Sequence, residues 1–409
     1  MWIDIVLDIF HISTNGIMTS FLADKEALEA FSDDIGSLWC RPVTVLDCPP
    51  DAFTFLRDFV NPKVPCIIRN AIKASTKGND ALRLSLDDII DRVGEEVVLS
   101  VDVTPDGFGD CVRNVVLDSS SIGEDDDKSQ IITEAVSQKM FVKPCSISIS
   151  IGEFRRLLRK DYDLAKRNRS EEELETFPIC NKRTESSDER INAIRRRSAS
   201  PVVYYSKQSD CLRTEMKELF STHIFPQSFP FAEEAFGAGP PDAVNLWIGN
   251  ERSVSSMHKD HYENLFYVCS GKKEFVLNPP ADHLFLYEGD FPSGTFTPVE
   301  AEVNNGFDWA VTLDQDDRGS DSPEEVRTRW IEPDITRDKS DEKFPLLSQS
   351  HPMKVEVSEG EMLYIPSLWY HRVTQSCETV GVNYCELPLY CLCIAFASLK
   401  CSQYSCSRV

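Results

Sequence analysis

Two histidines and one aspartate have the residue types and spacing of a metal site. One residue separates His258 from Asp260, and His371 follows more than a hundred residues later. On a strand, His258 and Asp260 would point to the same face, because residues two apart share a face of a sheet. Two imidazoles and one carboxylate on one side of a metal form the facial triad of non-heme Fe(II) oxygenases. An isolated His-x-Asp is common, so a surface or core histidine is the alternative at this point.

Lys273 adds a second chemical feature to the same region. It lies in residues 270–277 (SGKKEFVL), a pattern that predicts a tight turn and then a strand with Lys273 facing inward. A buried lysine without a partner is costly, so an anion should meet it. The distal carboxylate of 2-oxoglutarate would be such a partner, with a charged hydrogen bond worth about 1.5 to 3 kcal/mol. The alternative is a lysine whose charged end reaches solvent.

Short strands are the elements that would position these residues. From residue 242 onward, runs of β-branched and aromatic residues alternate with turn residues, which predicts an antiparallel sandwich or barrel rather than βαβ units. The predicted strands are Ala243 to Ile248, Leu265 to Cys269, Glu274 to Leu277, Met353 to Val357, Met362 to Ile365 and Val380 to Tyr384. Upstream, the pattern predicts helices at 24–39, 55–60, 86–90 and 151–166, and strands at 66–68, 97–103 and 202–205.

Four segments carry a family resemblance: DHYENL, SGKKEFVLNPP, GEMLYIPSLWYHRV and VGVNY. They are similar to the JmjC (cupin-like) 2-oxoglutarate oxygenases, and within that family to members that combine peptidase and (3S)-lysyl hydroxylase activity. The resemblance covers about residues 39–384. It implies a mainly β fold with flanking helices around a double-stranded β-helix, or jelly-roll, core.

The same resemblance implies a set of site residues. His258, Asp260 and His371 would bind Fe(II), with 2-oxoglutarate and O2 as cosubstrates and succinate and CO2 as products. The residues implied to hold 2-oxoglutarate or to line its pocket are Lys273, Tyr204, Ser255, Asn264 and Asn383. Beyond the metal ligands, we assign no catalytic residue.

We divide the chain into four regions. The 300–343 segment has fourteen Asp and Glu against six Lys and Arg, which predicts a solvated insertion between strands. The regions are an unmatched leader with an N-terminal helix (1–38), an N-terminal part with loop insertions at 118–144 and 168–200 (39–240), the β core with the acidic insertion (241–384), and an atypical Cys-rich tail (385–409).

The charge balance excludes some partners. The chain has 43 Lys and Arg against 67 Asp and Glu, a formal net charge of −24. Broad binding of nucleic acid or an anionic membrane requires clustered basic residues, so we expect neither partner. No apolar run reaches the roughly 18 residues of a membrane span. The first residues lack the basic start of a secretory signal, so we expect a cytoplasmic or nuclear protein.

For the substrate, the resemblance implies a lysine in another protein, a developmentally regulated GTP-binding protein of the translation-factor class. Asp106, Asp110 and Glu263 are candidates for meeting its cation, but nothing in the sequence selects them. Cleavage of histone tails and N-methyl-lysine demethylation are alternatives at the same site. A cupin-like scaffold without turnover is the non-enzymatic alternative. The family also implies a homodimer built by helices after the core, where this chain instead continues with Cys385 and the Cys-rich sequence.

Overall fold

A computed structural model describes most of the chain. The described residues are 25–73, 82–116, 137–160, 177–179, 201–237, 239–299, 309–316, 324–338 and 342–386. The leader before residue 25 and nearly all of the Cys-rich tail lie outside these ranges. So does most of the predicted 168–200 insertion.

Helices and strands are named in chain order. The helices are α1 (Lys25–Trp39), α2 (Ala52–Phe55, continued by a π-helical turn over Leu56–Val60), α3 (Leu86–Val93), α4 (Ile151–Arg159), α5 (Lys217–Ser221) and α6 (Pro230–Phe236). In the N-terminal part the strands are β1 (Thr44–Leu46), β2 (Cys66–Arg69), β3 (Val98–Thr104), β4 (Cys111–Val116), β5 (Ser137–Lys143), β6 (Cys145–Ser150), β7 (Phe177–Pro178) and β8 (Val202–Tyr204).

The remaining strands follow from residue 243. They are β9 (Ala243–Gly249), β10 (Ser255–Lys259), β11 (Glu263–Ser270), β12 (Lys272–Asn278), β13 (Glu288–Pro298), β14 (Trp309–Leu313), β15 (Gln315–Asp316), β16 (Glu324–Glu325), β17 (Arg327–Ile331), β18 (Met353–Ser358), β19 (Glu361–Ile365), β20 (Tyr370–Gln375) and β21 (Thr379–Glu386). Each of the six strands predicted after residue 242 is present, with its ends shifted by at most two residues.

Two sheets form the core of the protein. The larger has the order β1-β2-β19-β11-β21-β9, and the smaller has the order β10-β20-β12-β18. Apolar side chains from both sheets pack together, among them Phe266 and Leu363 from the larger sheet and Phe275 from the smaller. The chain is mainly β with helices outside the sheets, which confirms the predicted jelly-roll core.

The N-terminal part shares this core. β1 pairs in parallel with β2, and β2 pairs antiparallel with β19 of the larger sheet. The change of sequence texture near residue 241 therefore does not separate two independent sheets.

The predicted helices form where local signals and burial agree. α3 begins with a capping box, in which the Ser85 side chain accepts from the Asp88 backbone and Asp88 accepts from the Ser85 backbone. Such a cap is worth about 1 kcal/mol. In α1, Leu28 and Ile35 are buried against Phe285, whereas Leu38, on the same predicted face, is exposed. Among the described helices, none has the length and apolar character required to cross a membrane.

Within the acidic segment 300–343, the residues that the structure describes (309–316, 324–338 and 342–343) do not form the solvated insertion that the charge predicts. Its strands β14 and β17 pair with the two halves of β13. Trp309, Val311 and Ile331 are buried in these strands. The prediction was wrong because the net charge of the segment hides short apolar groups that alternate with polar residues, and these groups are sufficient to build strands.

Three other predicted boundaries also change. Within the 118–144 loop, residues 137–143 form β5, which pairs with β4 and β13. Within the 168–200 loop, Phe177–Pro178 forms β7 and pairs with β4. At the other end, β21 continues to Glu386, so the first two residues of the predicted tail belong to the core. In each case, pairing with a distant strand overrides a locally polar sequence.

Candidate metal centre

The predicted triad comes together at one end of the smaller sheet. One ligand atom from each of His258, Asp260 and His371 lies within 4.8 Å of the others. β10 and β20 are antiparallel, and His258 lies directly opposite His371. Asp260 follows the end of β10, and its Oδ2 lies 3.6 Å from His371 Nε2. A pair of adjacent strands therefore presents two imidazoles and a carboxylate to the same point.

An irregularity in β10 turns its side chains toward the site. Ser255 pairs with Val373, but His258 pairs with His371, so β10 contains one more residue than β20 between these pairs. Ser255 and His258 are three positions apart and would face opposite sides of a regular strand. Because of the bulge, both line the same cavity.

The histidine nitrogens are arranged as a metal requires. His258 Nδ1 lies 2.7 Å from the Ser256 carbonyl oxygen, and His371 Nδ1 lies 3.0 Å from that of Trp369. An Nδ1 that donates to a carbonyl leaves Nε2 with its lone pair, and this contact is typical of metal-binding histidines. Burial, and next the charge of His258, lower the pKa of His371 to about 4, so its imidazole is neutral at neutral pH. The donor set fits Fe(II).

A cavity of about 340 Å³ opens beside the triad, between the two sheets. Its wall contains the three residues of the triad and all five residues that the family resemblance assigns to the cosubstrate. The larger sheet contributes Asn264 and Asn383, and the smaller contributes Ser255 and Lys273. Tyr204 reaches the cavity from β8.

Lys273 is the cation of this cavity. It is only 1% exposed, so the alternative of a lysine that reaches solvent is wrong. Its Nζ donates to the Tyr204 hydroxyl at 3.0 Å and lies 5.1 Å from the centroid of the Phe266 ring. No carboxylate among the described residues forms an ion pair with it. Burial therefore lowers the pKa of Lys273 to about 7. The cavity presents an uncompensated donor to an anionic ligand.

Neutral donors and acceptors surround this lysine. Burial raises the pKa of the Tyr204 hydroxyl, which therefore stays protonated, and Ser255 forms a hydrogen bond with it. Asn383 donates to Asn264 Oδ1 at 3.3 Å and accepts from Trp247 Nε1 at 2.9 Å. Both asparagines are nearly fully buried. Hydroxyls and amides in these positions can orient the oxygens of a small acid without adding charge.

The candidate acidic residues have different roles. Glu263 is fully buried, accepts from Tyr364 at 2.7 Å and forms an ion pair with Lys63. Asp106 forms an ion pair with Arg113 at 2.8 Å. These two carboxylates are engaged in structural contacts. Burial raises the pKa of Asp110, and the charge of His258 opposes that rise.

Trp330 is a site residue that the sequence prediction missed. It lies on β17, in the segment predicted to be solvated, and its ring stacks against that of His258. The signal that could have identified it is a tryptophan followed by isoleucine inside an otherwise polar sequence.

Comparison with known proteins agrees with this geometry. A family model described as a cupin-like domain matches residues 52–385. JmjC domain-containing protein E of Dictyostelium discoideum is 29% identical over 382 residues, which are 89% of this chain and 91% of that protein. The human bifunctional peptidase and (3S)-lysyl hydroxylase JMJD7 is 31% identical over 84% of each chain.

A third relative matches over a shorter range. The lysine-specific demethylase JMJ32 of Arabidopsis thaliana is 37% identical over 200 residues, which are 45% of this chain and 52% of that protein. Since the cupin-like match spans most of the chain and the human protein is similar over 84% of both sequences, the chain belongs to the JmjC family of iron- and 2-oxoglutarate-dependent oxygenases.

Proposed function

We propose that this protein hydroxylates a lysine side chain, at C-3, in a protein substrate. The observation that carries the proposal is the placement of the His258, Asp260 and His371 triad and the buried cation of Lys273 in one cavity. The lysyl hydroxylase named among its relatives supports the choice of reaction. In the balanced reaction, one oxygen atom of O2 enters a substrate C–H bond and the other enters succinate, which 2-oxoglutarate forms by loss of CO2.

The protein's own residues would bind and orient the reactants. The triad would hold Fe(II), and iron together with 2-oxoglutarate would supply the oxidising chemistry. Lys273 and Tyr204 would hold the distal carboxylate of 2-oxoglutarate. Binding of this anion favours the charged form of Lys273, which is costly in the unliganded cavity. The Trp247 and Phe266 rings would help to exclude water, which strengthens that contact.

The substrate assignment follows the family. We propose a GTP-binding protein of the translation-factor class as the substrate and the cytoplasm, with the nucleus as a second location, as the site of action. Histone-tail cleavage and N-methyl-lysine demethylation are the alternatives, because the names of two relatives give a peptidase and a lysine-specific demethylase. The convergent triad argues against a scaffold without turnover.

Succinate release by the full-length protein tests the proposal. The protein would be loaded anaerobically with Fe(II) and 2-oxoglutarate and then given O2 and a translation-factor-class GTPase or its lysine peptides. Mass spectrometry separates the three reactions, because hydroxylation adds an oxygen atom, demethylation removes methyl groups and a peptidase shortens the peptide. Iron and 2-oxoglutarate binding without oxygen insertion into any lysine would contradict hydroxylation. Asp260→Ala is the inactive control, since it removes a ligand from the triad.

A further inference from the structure

We propose that the acidic segment completes the metal centre, with Trp330 and Ser256 acting as a positioning pair that fixes the imidazole of His258. The inference depends on the proposed function only in that His258 binds a metal. It gives a role to β17, which lies in the segment 300–343 whose charge alone predicts a solvated insertion.

The first observation is a ring stack. The planes of Trp330 and His258 differ by 3° and their centroids lie 5.6 Å apart, an offset-stacked arrangement. The indole is itself held by Phe141 on β5, with ring centroids 4.7 Å apart. Trp330 lies opposite Gly289 in the pairing of β17 with β13. Trp330 is therefore a fixed wall against one face of the metal ligand.

The second observation is a set of hydrogen bonds that meet at Ser256. Trp330 Nε1 donates to Ser256 Oγ at 2.8 Å, and the Ser256 hydroxyl donates to the Asp110 carbonyl. The Ser256 carbonyl oxygen lies 2.7 Å from His258 Nδ1. Ser256 therefore sets, through its carbonyl, which nitrogen of His258 carries the proton. Trp330 in turn holds Ser256 through the Ser256 side chain.

The irregular register of β10 explains why such support is needed. Ser256 lies in the bulge between the Ser255 and His258 pairs, so the ladder with β20 does not fix its backbone. A shift of its carbonyl would rotate the imidazole or change its protonated nitrogen. Trp330 and Asp110, which lie outside the smaller sheet, hold Ser256 in place of the missing ladder contact.

Substitution of Trp309 is a control that distinguishes a positioning role of Trp330 from a role in packing alone. Trp309 also belongs to the acidic segment, lies on β14, and is buried with its ring 6.1 Å from that of Phe296. It pairs with the same strand, β13, but at Pro298, in the half of β13 that pairs with β14 rather than with β17. Trp309→Phe should therefore disturb the strands that pair with β13 as much as Trp330→Phe does. It leaves the stacking of Trp330 on His258 in place.

The test is Co(II) affinity of the full-length protein, measured by anaerobic titration without substrate. We expect Trp330→Leu, which removes ring and donor, to weaken binding about 10-fold or more, the usual effect of losing an outer partner of a metal ligand. Trp330→Phe keeps a ring and should fall between Trp330→Leu and wild type. Adding Ser256→Ala to Trp330→Phe should weaken binding little beyond Ser256→Ala alone, because both remove the same hydrogen bond. Trp309→Phe should bind as wild type does.

Three outcomes would overturn the inference. Folded Trp330→Leu protein with Co(II) affinity within twofold of wild type would show that the stack has no role in the site. If Trp330→Leu fails to fold, the other variants are compared instead. Equal Co(II) affinities of Trp330→Phe, Ser256→Ala and wild type would then show that the pair has no role in the site. Equal losses in Trp309→Phe and Trp330→Phe would indicate packing alone. Failure of lysine hydroxylation by a protein that binds Co(II) leaves these affinities unaffected, so the two proposals fail separately.

Discussion

Replacement of Lys273 by methionine should stabilise the unliganded protein and weaken its affinity for 2-oxoglutarate. Methionine resembles lysine in length and fills the same buried volume, but it needs neither hydration nor a counter-ion. Lys273 has the Tyr204 hydroxyl as its hydrogen-bond partner, and burial lowers its pKa from the ordinary 10.5 to about 7. The lysine is therefore unfavourable for folding and useful only when an anion is bound.

The size and pH dependence of the effect follow from that pKa. Because the folded pKa is below the unfolded one, the unfolded chain binds more protons between pH 7 and 10.5, and stability rises with pH across this window. The full penalty, about 5 kcal/mol as an upper bound, is present below pH 7 and disappears near pH 10.5. Lys273→Met lacks this titration. Its advantage in free energy of unfolding should be largest near pH 6 to 7 and should shrink as the pH rises.

Chemical denaturation at several pH values measures the stability, and calorimetry with Co(II)-loaded protein measures 2-oxoglutarate binding. Loss of a charged hydrogen bond of about 1.5 to 3 kcal/mol corresponds to affinity about 10 to 150 times weaker. Lys354→Met is the matched control, because Lys354 is exposed on β18 of the same sheet. A Lys273→Met protein that is less stable than wild type at pH 7 and binds 2-oxoglutarate as tightly as wild type would refute the reasoning.

Three further predictions concern other parts of the structure. His371→Ala should abolish the rise in melting temperature that Co(II) gives the wild-type protein, which thermal scans with and without metal would show. Glu263→Gln should lower the free energy of unfolding by about 1 to 3 kcal/mol, since it weakens the ion pair between the buried Glu263 and the partly exposed Lys63, while Co(II) affinity stays unchanged in a parallel titration. Ser85→Ala should lower the free energy of unfolding by about 1 kcal/mol through loss of the α3 cap, with unaltered succinate release per folded molecule.

The His258 and Asp260 pair, Lys273 and six of the core strands could be predicted from the residues because their signals are local, whereas the complete ligand set with His371 is what the family resemblance implies. His258 and Asp260 are two positions apart, and Lys273 lies in a strand with a clear turn before it. Hydrophobic runs bounded by turn residues located the six strands after residue 242 to within two residues. Each of these features is contained in fewer than about fifteen residues, so periodicity and residue type were sufficient to locate the strands and to single out these side chains as candidates.

The contribution of residues 300–343 could not be predicted in the same way. β17 becomes a strand by pairing with β13, and Trp330 meets His258 across 72 positions of sequence. Local composition, which is strongly acidic, opposes that outcome. Pairing with a distant partner and burial of a few apolar groups decided the structure, and neither is visible in a sequence window.

The bulge in β10 connects these two kinds of feature. A regular strand that placed Ser255 in the cavity would place Met257 there and turn His258 outward; instead Met257 is buried on the other side of the sheet with Tyr370. One extra residue therefore makes it possible for the cosubstrate residue Ser255 and the metal ligand His258 to share a cavity. The bulge also loosens the strand at Ser256, which is the residue that Trp330 holds. The local irregularity that assembles the site thus creates the need for a support, which Trp330 of the distant acidic segment provides together with the Asp110 carbonyl.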